Sequence, residues 1–134
     1  MNVGELAQRG IRVHTIKGYG DTAVAEHAIA LMLAGCRDIA RMDREVRSRT
    51  WSTREGVQLF GKTLGVIGLG GIGREVLRIG CGLGMQVIAW NRTPRPGEAL
   101  VALDELLIRS DVISLHLALN ATPADFLGRR RWRA

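Results

Sequence analysis

The chain is poor in aromatic residues (4%), has only three prolines and carries only two cysteines. So few rings leave no row of platforms for stacking bases, which argues against a single-strand nucleic-acid reader. Cys36 and Cys81 lie far apart, each in an apolar stretch, with neither CxxC spacing nor a histidine cluster. They are expected to be buried packing thiols in a reducing compartment rather than a disulfide framework. Paired carboxylates and metal-ligand spacings are also missing, so no metal is expected. The longest uncharged apolar run, 28–36, is about half of the ~20 residues that a bilayer span needs. The opening MNVGELAQRG lacks the charged start and apolar core of a secretion signal. Together these absences predict a cytoplasmic protein without a membrane partner.

Charge needs more care. The formal net charge is +6 over 134 residues, but Arg129, Arg130, Arg131 and Arg133 supply four of those charges, which leaves +2 (6 − 4) for the rest. Six of the other thirteen arginines lie between 37 and 54, interleaved with Asp38, Asp43 and Glu45. That pattern describes a solvated helix face better than a phosphate-tracking stripe, so no nucleic-acid partner is expected. The basic tail 129–134 fits neither a helix stripe nor a strand and is expected to be unordered. The length suits one modest core, short for an enzyme with separate cofactor and substrate domains.

Hydrophobic periodicity then orders the chain. Residues 5–9 read as the end of a helix, and 11–16 (IRVHTI) as a short strand. A long helix is expected over 22–49, with Asp21 or Thr22 as its cap. Its first half is apolar nearly all round, which requires burial on several sides. Its second half carries Ile39, Met42 and Val46 as a stripe, with Arg41–Glu45 and Asp43–Arg47 pairs. After a loop at 51–61, TLGVIGL (63–69) reads as a parallel strand buried on both faces. Next come a helix over 72–83 stopped by Gly84, a strand at 85–90, a loop, a helix over 103–109 and a strand at 111–119. The isolated His14 and His27 are assigned packing roles.

The GLGGIG turn, 68–73, directly follows a buried strand and opens a helix, the context in which GxGxxG carries meaning. Gly68 would permit the tight turn, Gly70 would leave room for a diphosphate against the backbone, and Gly73 would let helix and strand pack closely. Gly71 and Ile72 begin a helix whose unpaired N–H groups suit such an anion. The fold class expected is therefore α/β: a partial Rossmann-type, doubly wound parallel sheet with a three-stranded β-α-β-α-β core, preceded by a long linker helix. The ligand expected is a nicotinamide dinucleotide. At the end of the second strand, where an acidic residue commonly holds a ribose 2′-hydroxyl, stands Asn91, followed by Arg92 and Thr93, with Arg95 close by. This favours NADP over NAD, because guanidiniums suit a 2′-phosphate that a carboxylate would repel. His116 lies near the carboxyl end of the third strand, as a cofactor contact or as a hydrogen-bonded structural histidine; with Asp111 and Ser114 it makes no recognisable triad.

On GYGDTAVAEHAIALMLA, GKTLGVIGLGGIG and LDELLIRSDVISLHLAL, the chain resembles the D-isomer-specific 2-hydroxyacid dehydrogenases from about residue 2 to 128. The resemblance implies an oxidoreductase moving hydride between NAD(P)H and a small 2-hydroxy or 2-oxo acid such as glyoxylate or hydroxypyruvate. It places Gly71 and Ile72 at the pyrophosphate, Asn91 and Arg92 at the adenosine ribose, and Leu117 with Ala118 beside the nicotinamide. Ala118 departs from the family's usual proline, and Asn91 from its usual aspartate. It also implies a division into a substrate-domain remnant (1–20), a linker helix that commonly builds a homodimer (21–50), and the first half of the dinucleotide-binding domain (51–128). The family's catalytic arginine, glutamate and histidine have no counterpart here. We therefore expect a chain truncated at both ends, with no catalytic residue of its own and no turnover alone, and with one edge of the 63–69 strand uncovered. The alternative is a nucleotide-binding or partner-binding module without catalysis.

Overall fold

The structure, a computed structural model, describes residues 3–118. Its elements are α1 (Val3–Gln8), α2 (Asp21–Cys36), α3 (Ile39–Arg47), β1 (Thr63–Ile67), α4 (Gly71–Gly82), β2 (Gln86–Trp90), α5 (Leu103–Arg109) and β3 (Val112–Leu115). The three strands form one parallel sheet in the order β2-β1-β3. β1 is central, with α2 and α4 on one face and α5 on the other, the layering of a doubly wound α/β domain. Leu64 and Val66 point to the α2/α4 side, where they meet Ala25, Ile29, Val76 and Ala89. Ile67 points to the opposite side, against Leu103 and Leu106. Leu64, Val66 and Ile67 are fully buried, each contributing about 1.5–3 kcal/mol of apolar transfer. α4 ends where the sequence placed its stop. Gly84 takes φ +74°, and the N–H groups of Gly84 and Met85 return to the carbonyls of Cys81 and Gly80, a Schellman closure.

Several expectations are corrected. Both edges of β1 are paired, so the uncovered edges among the described residues belong to β2 and β3; the third strand inserts on the far side of β1 rather than beyond β2. Residues 11–16 form no strand, because no neighbouring strand among the described residues offers them a ladder. The helix expected over 22–49 is broken. Asp38 adopts the left-handed conformation (φ 55°), which a short polar side chain tolerates, and the loop returns so that Val57 N–H donates to the Cys36 carbonyl at 2.7 Å. Gly20, not Asp21 or Thr22, is the N-cap of α2, with no side-chain cap bond. Burial of α2 is one-sided: Ala25 and Ile29 are covered, whereas Val24 and Leu31 are 46% and 60% exposed. On α3 the stripe residues Ile39 and Val46 are also exposed, although both expected ion pairs form, Arg41–Glu45 at 3.0 Å and Arg47–Asp43 at 2.8 Å. Cys81 is exposed and Cys36 half-buried. His14 and His27 are exposed and take no packing role. Leu119, the rest of the 51–128 segment and the basic tail 129–134 lie outside the described residues.

Candidate functional site

Register sets the site. Ile67 stands opposite Trp90 on one side and Leu115 on the other, so the next residues, Gly68, Asn91 and His116, emerge together at the carboxyl edge of the sheet. Two further bonds extend the ladders past the strand ends. Gly68 N–H donates to the Trp90 carbonyl and His116 N–H to the Ile67 carbonyl, both at 2.8 Å. A cleft of about 400 Å³ opens at this edge, lined by Gly68, Leu69, Gly70, Asn91, Arg92, Thr93, Arg95, His116, Leu117 and Ala118. Eight of the eleven expected site residues therefore share one concavity. Gly71, Ile72 and Gly73 are not in its lining. Leu69 was unforeseen, although its place between two glycines of the turn was the available signal.

The glycines differ in what they permit. Gly68 has φ +99°, and a β-carbon there would stand 2.6 Å from the His116 carbonyl oxygen. A side chain at Gly73 would overlap the Gly68 carbonyl oxygen, so this glycine lets α4 cross the turn. Gly70, the N-cap of α4, faces open space and offers no side-chain cap, which leaves the first N–H groups of the helix without a side-chain acceptor. At Gly71 the neighbour is a charge: a β-carbon would run into the Asp21 carboxylate.

The loop after β2 is held by polar bonds. Asn91 Nδ2 donates to the Thr93 carbonyl at 3.1 Å, and Arg95 N–H donates to Glu98 Oε2 at 3.0 Å. Glu98 also pairs with Arg74 of α4, and its carboxyl is held below the usual range, by the Arg95 N–H most and by the Arg74 and Asn91 side chains besides. Neither Glu98 nor Arg74 carried a sequence signal, because they meet only through the fold.

His116 Nε2 lies 2.8 Å from Ser114 Oγ, and burial holds the imidazole below its ordinary value of 6.5. Asp111 is engaged elsewhere, accepting from Thr63 N–H at 2.8 Å and pairing with Lys62 at 3.2 Å, so no triad forms. Leu117 packs on the α5 side of the core, and Ala118 is exposed. Among the described residues no acidic, thiol and imidazole cluster could hold a metal ion, and no helix is long and apolar enough to cross a membrane.

An open glycine cradle at a helix amide end, beside a cleft bearing two arginines, is the kind of site that dinucleotide-binding α/β domains present. Similarity to known proteins narrows that class. The D-isomer specific 2-hydroxyacid dehydrogenase NAD binding domain matches residues 29–133, and the chain belongs to this family. D-3-phosphoglycerate dehydrogenase of Archaeoglobus fulgidus is 39% identical, over 96% of this chain and 26% of its own length. Hydroxypyruvate reductase of Thermotoga maritima is 38% identical, over 96% of this chain and 44% of its own. The crystal structure of the TT0316 protein from Thermus thermophilus superimposes with a TM-score of 0.86 at 34% identity, covering 98% of this chain and 44% of that one. The chain thus spans between about a quarter and under half the length of these relatives.

Proposed function

We propose that this chain supplies the nicotinamide dinucleotide site of a D-2-hydroxyacid dehydrogenase whose substrate is a small 2-hydroxy or 2-oxo acid such as glyoxylate or hydroxypyruvate. The observation that carries the reading is the convergence of the glycine turn, the 91–95 loop and residues 116–118 on one cleft at the carboxyl edge of the sheet. Gly68, Gly70 and Gly73 shape the turn, and the amide end of α4 at Gly71 and Ile72 faces the diphosphate. Asn91, Arg92 and Thr93 take the adenosine ribose, while His116, Leu117 and Ala118 flank the nicotinamide. The cofactor carries the hydride, and this chain binds and orients it.

NADP is favoured over NAD. With Asn91 in place of a carboxylate and Arg92 and Arg95 lining the same cleft, a 2′-phosphate meets guanidiniums and no acid in the lining. The test is titration with NADPH and NADH alongside Arg92→Ala: NADPH affinity should fall about tenfold or more, with NADH changed less than about twofold. Equal losses would remove the 2′-phosphate assignment. We further read α2, with Val24 and Leu31 exposed on its uncovered side, as the surface through which two copies associate.

A further inference from the structure

Residues 92–97 are all exposed, so no apolar burial fixes the loop that carries Arg92 and Arg95. Its shape depends on polar ties, and most converge on one side chain. Glu98, whose side chain is only 11% exposed, accepts from the Arg95 N–H and pairs with Arg74. Arg74 belongs to the first turn of α4, where its own N–H donates to the Gly70 carbonyl at 3.1 Å. Glu98 therefore links the loop after β2 to the glycine turn, the two parts of the cleft that would grip opposite ends of an adenosine diphosphate.

We propose that Glu98 is a positioning residue for cofactor discrimination: clamped between Arg74 and the Arg95 N–H, it holds the 91–95 loop so that Arg92 and Arg95 face a ribose 2′-phosphate. The inference rests on the NADP reading above and deepens it. A carboxylate near a phosphate subsite would ordinarily oppose the ligand. Here its charge is matched by Arg74, and Glu98 itself does not line the cleft, so the cleft keeps a surplus of positive charge.

The experiment isolates the ribose end with two fragments, adenosine 2′,5′-bisphosphate and 5′-AMP, titrated calorimetrically into the full chain and its Glu98→Ala and Glu98→Gln variants, with far-UV circular dichroism to verify folding. Glu98→Ala should weaken the bisphosphate about tenfold and 5′-AMP less than about twofold, and Glu98→Gln, which keeps an acceptor but not the charge, should fall between. Equal weakening of both fragments would reduce Glu98 to general scaffolding and overturn the proposal. Tighter bisphosphate binding by Glu98→Ala would also overturn it, by showing that the carboxylate repels the phosphate. Failure of the underlying reading looks different: the unsubstituted chain would not distinguish the two fragments, and Arg92→Ala would change neither, which removes the inference together with its premise.

Discussion

At the scale of single residues, the glycine turn is where sequence and structure agree most closely. The places of Gly68 and Gly73 were legible because each meets a backbone requirement that only a missing side chain satisfies, whereas Gly70 faces open space. Gly73→Ala should lower stability by about 2–4 kcal/mol, since a methyl driven into a backbone oxygen cannot be accommodated by a rotamer change; urea denaturation measures it, and an unchanged midpoint would contradict the close crossing. His116 supplies a pH dependence. Burial lowers its folded pKa below 6.5, so the unfolded chain takes up a proton first as pH falls. Stability should be full above about 6.5 and decline as the pH drops through that value towards the lowered folded one. His116→Gln should flatten the decline between about pH 7.5 and 5.5 in the same denaturation experiment. Asp111 acts in the same direction, but only as the pH falls below its ordinary 3.8, outside that window.

At the scale of elements, the buried strands and α4 and α5 lie close to where hydrophobic period placed them, because their patterns are closed by local signals such as Gly84. The cap residue and the middle of the long helix were not legible, although its start was placed within a residue. A break at Asp38 depends on a loop that returns to the Cys36 carbonyl, a contact set by residues some twenty positions away. The same long-range logic brings the first turn of α2 against that of α4, placing the Asp21 carboxylate beside Gly71. A negative charge favours a helix amide end and disfavours a second anion there. Asp21→Asn should therefore tighten NADPH binding about two- to fivefold while costing about 0.3–1 kcal/mol of stability. Looser binding by the variant in a fluorescence titration would show that the carboxylate supports the ligand.

At the scale of the whole molecule, the exposed side of α2 and, among the described residues, the unpaired outer edges of β2 and β3 are features that a second copy would cover. Light scattering should give a mass that rises with concentration, and Leu31→Lys should return it to that of one chain; a single-chain mass at every concentration would refute the α2 reading. Assayed alone, the 134-residue chain should bind NADPH without reducing glyoxylate or hydroxypyruvate, and measurable turnover would overturn the expectation that it binds the cofactor without catalysis. The sequence by itself determined β1 to β3, the glycine turn and the family, because buried apolar runs and turn glycines are written in neighbouring residues, whereas the strand expected at 11–16 did not form. Only the tertiary structure decided that β3 lies against β1, that α2 is covered on one side alone and that Glu98 meets Arg74. Each of these joins residues distant along the chain, and their meeting depends on how the layers stack rather than on any local preference.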